Sequence, residues 1–385
     1  MKFFQPSRRA MHSLVLALAL AAPVVTAHVW AAPVKAENAA NRKTAAKPKL
    51  RKTADQAVQP GEFANFGQWQ EVAAFIDDMV ERHGFDRKAL EILFREARYV
   101  DSAIQLVKPA PPGRPKNWRA YRARFIEPMR IQAGADFWQT HAQALERAEQ
   151  MYGVPAEIIV GIIGVETVYG RNTGNFRVLD TLTTLGFDYP DTPNRTARMK
   201  FFRGQLEQTL LLSRESAIDP FTLLGSYAGA IGLPQFMPGS IRNFAVDFDG
   251  DGKIDLRNSQ VDAIGSVANF LVQHGWQSGQ PIAFPATVTT TSMNGNPDNR
   301  WEAYIGQGLE AKYTLAEMAT AGIAANGEAP ADLPYGLVDL QNGSEATEYW
   351  LGAANFFAIT KYNRSFFYAM SVVELGRAVR TARGG

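Results

Sequence analysis

The chain of 385 residues contains no cysteine. That excludes disulfide bonds, thiolate metal centres, cysteine nucleophiles and a cysteine-linked lipid anchor. Histidine is scarce too, with five residues at positions 12, 28, 83, 141 and 274. Two of them fall in the first 32 residues, which leaves too few for a histidine-rich zinc site. Beyond residue 32 no apolar run is long enough to cross a bilayer. No segment repeats internally.

What is present is a chain that is 46% hydrophobic and long enough for two or three domains. Residues 1–32 resemble an export signal: Lys2, Arg8 and Arg9, then apolar Leu14 to Ala22, then small residues. Residues 33–61 form an Ala- and Lys-rich linker with seven basic and two acidic residues, a net of +5. The formal net charge of +2 therefore leaves about −6 on the body. An acidic body argues against nucleic-acid binding. The expectation is an exported, periplasmic protein, monomeric, with no transmembrane anchor once the signal is removed.

Apolar residues recur with a helical period from about 62 to 148, which predicts a helical domain. A Pro-rich connection, Pro109 to Pro115, interrupts it. Residues 149–275 read as the next unit, with helices at 204–216 and 261–274. Pro281 to Thr290 alternates and is β-branched, and Met293 to Asn299 is turn-like. We expect a small β-rich insertion over 276–344. Helical pattern returns at 346–357 and 366–380, so 345–385 reads as a last helical unit.

Within this frame Glu166 stands out. It lies in Pro155-Ala-Glu-Ile-Ile-Val-Gly-Ile-Ile-Gly-Val-Glu-Thr-Val-Tyr-Gly-Arg171, an apolar stretch of helical length. On a helix it shares a face with Ile159, Ile162 and Ile163. A carboxyl on such a face is costly to ionise, so its pKa should rise and leave a proton to donate. The alternative is a structural ion pair with an arginine such as Arg171. Gly161 and Gly164 would let another element approach this helix closely.

Asp247-Phe-Asp-Gly-Asp-Gly-Lys-Ile-Asp255 has the spacing of a calcium loop. Asp247, Asp249 and Asp251 take positions 1, 3 and 5, and Lys253 offers its carbonyl at 7. Position 12 is Asn258, and Asp262, four residues on, is the nearest acidic replacement. Carboxylates this close repel one another without a cation. A structural Ca2+ (or Na+) in the 247–262 loop is expected, and no organic cofactor. Gly225-Ser-Tyr-Ala-Gly-Ala-Ile-Gly-Leu-Pro-Gln-Phe-Met-Pro238 would let backbone approach a ligand. Its polar side chains are Ser226 and Gln235, and no nucleophile elbow surrounds Ser226.

In chain order, together with Leu-Asp-x-Leu-x-Thr-Leu-Gly-Phe-Asp-Tyr-Pro, the Asp262-Ala-Ile-Gly segment and Ile-Thr-Lys-Tyr362-Asn363-Arg-Ser, these motifs resemble the lytic murein transglycosylase B family. The resemblance covers roughly residues 62–382. It implies a mainly α protein with a lysozyme-like α+β core, an additional helical domain and a small inserted β-rich domain. It implies cleavage of the β-1,4 bond between N-acetylmuramic acid and N-acetylglucosamine in peptidoglycan, without water, leaving 1,6-anhydromuramoyl ends. Glu166 takes the place of the single catalytic acid. Ser226, Gln235, Tyr362, Asn363, Tyr368, Tyr121 and Arg198 match substrate-binding positions. Asp247, Asp249, Asp251, Lys253 and Asp262 match the metal loop. Partners would be peptidoglycan glycan strands and other cell-wall enzymes.

The chain departs from the family pattern in two places. The stretch from Asp191 to Lys200 is longer, and within it the gripping arginine is assigned to Arg198 over Arg195. A lipid-anchor cysteine found in the family is absent, which suggests a soluble branch. Two other readings stand beside this one. A muramidase-type hydrolase would need a second carboxylate, with Asp180 and Asp188 as candidates. A non-catalytic peptidoglycan-binding envelope protein would have no need of a costly buried acid.

Overall fold

The computed structural model describes residues 65–384 apart from 110–112, 114, 292–293, 295 and 297. The export-like segment, all of the basic linker and parts of the Pro-rich and turn-like stretches lie outside the described residues.

The chain opens with three helices, α1 (Gln70–His83), α2 (Arg87–Glu96) and α3 (Asp101–Val107). Gly84, at φ 64°, ends α1, and the Asp86 side chain accepts Ala89 N at 2.8 Å to start α2. A short α4 (Trp118–Arg122) leads to α5 (Pro128–Thr140) and α6 (Ala142–Tyr152). Glu127 caps α5, with Pro128 in its first turn. Among the described residues the regular elements of the predicted helical region are all helices. The region does not form an isolated core, since Phe75 packs edge-on against Phe187 of the following region at 5.9 Å.

Next comes α7 (Ala156–Thr167), apolar on every side and almost entirely buried. Strand β1 (Phe176–Arg177) precedes α8 (Val178–Phe187) and the 21-residue α9 (Arg195–Glu215). Strand β2 (Leu224–Gly225) pairs antiparallel with β1, and α10 (Pro238–Phe244) and α11 (Gln260–Gln273) follow.

The β-rich region holds β3 (Ala283–Val288), α12 (Leu315–Thr320), β4 (Ile323–Ala325), β5 (Gly336–Asn342) and β6 (Glu345–Gly352). The strands form one antiparallel sheet in the order β4-β3-β6-β5, with its own small core around Tyr335, Leu337 and Leu351. Here one expectation fails. The stretch read as helical from 346 is strand β6, so the sheet runs eight residues past 344. Pairing with both β3 and β5 overrides the local apolar spacing. Helix then resumes as α13 (Ala354–Ile359) and α14 (Phe366–Ala382).

Helices α7 and α14 pack against each other with backbones in near contact. A Cβ on Gly161 would meet the Val372 carbonyl oxygen at 2.3 Å, and one on Gly376 would meet the Glu157 oxygen at 2.1 Å. The role expected of Gly161 is thus filled by α14. At Gly164 the nearest neighbour is the Tyr169 hydroxyl, 2.4 Å from such a Cβ, with Leu375 Cδ2 of α14 at 2.8 Å.

Candidate active site

Glu166 is the penultimate residue of α7. Residues 158–165 and 167 are buried, and Glu166 alone in this run keeps a partial opening. The helix therefore delivers one carboxyl from the core to the edge of a cleft. The chain then turns sharply through Val168 and Tyr169, both left-handed at φ 52° and 57°. Such backbone costs about 1–3 kcal/mol per non-glycine residue and is characteristic of functional sites.

Tyr368 reaches Glu166 from α14. Ser365 caps that helix by accepting Tyr368 N at 3.3 Å, which sets Tyr368 in the first turn. The Tyr368 hydroxyl donates to Glu166 Oε1 at 2.6 Å. Burial pushes the Glu166 carboxyl up to about 7, and the Tyr368 hydrogen bond opposes that rise. Among the described residues no charged side chain contributes to the shift, and Arg171 is exposed. The structural ion pair therefore lacks its cation.

Two further tyrosines surround this pair. The Tyr362 ring lies 6.3 Å from that of Tyr368 at an interplanar angle of 16°. It also rests on Phe270 at 4.8 Å, and its hydroxyl donates to the Pro234 carbonyl at 2.7 Å. Burial first, then the charge of Glu166, holds both phenols well above their ordinary range. Burial likewise takes Tyr121 up to about 12, with Arg124 opposing and Glu166 adding to the rise. All three phenols are thus neutral hydrogen-bonding groups at physiological pH.

The Gly-rich stretch supplies Ser226 and Gln235. Ser226 Oγ accepts Ala230 N at 3.0 Å. Gln235 is left-handed at φ 51°, and its Nε2 donates to Gly232 O at 2.8 Å and Thr173 O at 3.2 Å. Neither side chain hydrogen-bonds Glu166 here. Asn363 is half-buried, and no hydrogen bond of its side chain occurs among the described residues. Arg198 is buried in α9 with its charge 5.8 Å from the centre of the Tyr189 ring, and its Nε and Nη1 lack partners. It acts electrostatically on Tyr227, next to Ser226, and has no recorded contact with Glu166.

Thr167 escaped the sequence reading. Its hydroxyl donates to the Leu233 carbonyl at 2.9 Å and accepts Gly170 N at 3.0 Å. It ties the end of α7 to the Gly-rich stretch. Nothing local marks it, because its partner lies 66 residues away.

Asp180 and Asp188 are both committed elsewhere. Arg177 donates to Asp180 Oδ2 at 2.6 Å and Oδ1 at 2.8 Å, and Arg98 N donates to Oδ1 at 3.1 Å. Asp188 accepts from the Tyr99 hydroxyl at 2.6 Å.

The acidic loop gathers Asp247, Asp249 and Asp251, with carboxylate oxygens within 4.8 Å of one another. All three are exposed. Asp262 stands outside this group. It is buried, and its oxygens accept Phe248 N at 2.8 Å, Asp249 N at 3.3 Å and Asp255 N at 2.8 Å. Asp255 is likewise occupied by Arg257 N and Asn258 N. The three exposed carboxylates, with the Lys253 carbonyl beside them in sequence, make a hard oxygen donor set that suits calcium. Asp262 shapes the loop that carries them.

One consequence is open to direct measurement. Because the Tyr368 hydroxyl favours the ionised carboxylate, Tyr368→Phe should raise the Glu166 pKa above that of the parent. Carboxyl 13C NMR titration reads this directly. An unchanged or lower pKa would show that the hydrogen bond does not act on the acid.

The transglycosylase SLT domain profile matches residues 67–377. Membrane-bound lytic murein transglycosylase B of Escherichia coli (strain K12) is 43% identical over 332 residues, covering 84% of this chain and 85% of that protein. The soluble lytic transglycosylase SltB1 of Pseudomonas aeruginosa superposes with a TM-score of 0.72 at 45% identity, over 82% of this chain and all of that one. Escherichia coli lytic transglycosylase Slt35, solved with calcium, superposes with a TM-score of 0.71 at 42% identity, over 84% of this chain and 97% of that one. The architecture is that of Slt35, mainly helical with small antiparallel sheets. With its profile match across most of its length, the chain belongs to the transglycosylase SLT domain family, where it stands beside lytic murein transglycosylase B.

Proposed function

We propose that this enzyme cleaves the β-1,4 bond between N-acetylmuramic acid and N-acetylglucosamine in peptidoglycan, with Glu166 as its single acid and base. The observation that carries this reading is a largely buried carboxyl at the cleft edge, raised to about 7, on which no second carboxylate acts among the described residues. At neutral pH a large fraction of such a group is protonated and can protonate the glycosidic oxygen. Positive charge then develops on the muramoyl sugar. The sugar's N-acetyl group stabilises it, so no second protein carboxylate is required. Glu166, now ionised, takes the proton of the sugar's own 6-hydroxyl as that oxygen attacks the anomeric carbon. A tethered nucleophile has a large effective concentration, which lets it outcompete water.

Tyr362, Asn363, Tyr368, Tyr121, Ser226 and Gln235 would line the sugar-binding cleft, with Arg198 behind Ser226. Commitment of Asp180 and Asp188 to Arg177 and Tyr99 favours this reading over hydrolysis. A peptidoglycan substrate implies work in the cell envelope. The test is mass spectrometry of borohydride-treated products from purified sacculi. Non-reducible 1,6-anhydromuramoyl ends are expected, and reducible ends would mean that water is the nucleophile.

Asp247, Asp249, Asp251 and the Lys253 carbonyl would hold a structural calcium ion. It would offset carboxylate repulsion and brace the loop ahead of α11. Calcium at 100 times its dissociation constant should stabilise the fold by about 2.7 kcal/mol. That corresponds to roughly 5 °C in melting temperature for a chain of this size. Calorimetry with EDTA and then with excess calcium checks it. A melting temperature indifferent to both would remove the ion from the account.

A further inference from the structure

Away from Glu166, the β-rich region holds a cavity of about 510 Å³. That is a normal size for a small-ligand site. Its wall includes two aromatic rings set edge to face, Trp301 and Tyr349, with centroids 5.5 Å apart. Around them stand Asp339, Gln341, Glu302 and Lys116. The Gln341 amide donates to Asp339 Oδ2 at 2.7 Å, which orients both groups. Exposed Lys116 and Glu302 form no side-chain hydrogen bond or ion pair among the described residues, so their polar atoms remain available. The register of β5 against β6 shifts between Leu340 and Asn342. A bulge of this kind re-aims a side chain, and Gln341 is the residue inside it.

We propose that this cavity is a second saccharide-binding site, which holds an N-acetylated sugar of the glycan strand outside the cleavage cleft. It rests on the peptidoglycan reading above. The aromatic faces suit the apolar C–H faces of a pyranose ring, and the polar rim suits its hydroxyl and amide groups. Burial raises the Tyr349 phenol, with Thr347 opposing and Asp339 and Glu302 adding to the rise, so it remains a neutral donor.

The site is also mechanically joined to the cleft. Arg119 N donates to Asn342 Oδ1 at 2.9 Å, and Gly343 N to Lys116 O at 2.8 Å. Tyr121, within electrostatic reach of Glu166, follows Lys116 by five residues. Five residues span no more than about 18 Å even when extended. One glycan strand can therefore touch both places, and the second contact would hold the strand between cleavage events.

The test uses the full chain with Glu166→Gln, so that strands are bound and not cut. The probe is peptide-free glycan strands, and retention is measured by co-sedimentation. Adding Trp301→Ala should weaken retention about tenfold. Trp301 also donates to Asp298 O at 3.1 Å, so its loss can disturb the fold. The double change Lys116→Ala and Glu302→Gln, at exposed partnerless positions, guards against that and should weaken retention about threefold. Unchanged retention in the double variant, or in a folded Trp301→Ala, overturns the proposal. Absence of any product from the Glu166 parent on sacculi would instead sink the peptidoglycan reading.

Discussion

Glu166→Gln is expected to abolish glycan cleavage and at the same time to stabilise the protein at neutral pH. Removing a general acid or base commonly costs about 100- to 10,000-fold. Here one carboxyl serves in both roles, so a loss of at least about 1,000-fold follows. In the parent, kcat/KM should decline above about pH 7 as the acid ionises. The stability change comes from the same pKa. An unfolded Glu166 loses its proton near 4.5, whereas the folded one holds it until about 7. Below 4.5 both forms are neutral and the shift has no effect. Between those values the unfolded chain ionises first, so the native state progressively loses stability, by about 3 kcal/mol at pH 8. Glutamine stays neutral and removes that penalty. Melting curves at pH 4 and pH 8 should show the variant's advantage only at the higher value. An equal advantage at both would mean that burial of charge is not its source, and residual product would break the single-acid mechanism.

Asp180→Ala should have the opposite profile, a large loss of stability with chemistry retained. Asp180 is buried and receives two hydrogen bonds from Arg177 and one from the Arg98 amide. Arg177 keeps partial exposure, so breaking the pair from one side costs about 3 kcal/mol, the low end for a buried pair. For a chain of this length that is roughly 6 °C. Urea denaturation and product assays at low temperature separate the two effects. If the folded variant lost cleavage and kept its stability, Asp180 would be a catalytic base and the hydrolytic reading would return.

Two features of the candidate site could be read from spacing along the chain. The isolated acid at the end of an apolar helix and the alternating aspartates of the acidic loop are local patterns with local meanings. Reading failed where pairing decided the outcome. Residues 345–352 have the apolar spacing of a helix end, yet they form the central strand β6, because β3 and β5 offer partners on both sides. Asp262 matches the metal loop by its place in the chain, and the fold turns its carboxylate to that loop's backbone amides.

By itself, the sequence determined which cysteine-based chemistries were closed to this protein, where a carboxyl ends an apolar helix, and where alternating aspartates cluster. Only the tertiary structure decided what meets that carboxyl. Tyr368 is 202 residues from Glu166, and nothing in its local spacing marks it as a hydrogen-bond donor to an acid. The contact exists because Gly161 and Gly376 let α7 and α14 approach nearly backbone to backbone. Helical period encodes which face of each segment is buried. Which two faces meet, and at what distance, depends on packing between segments remote in the chain.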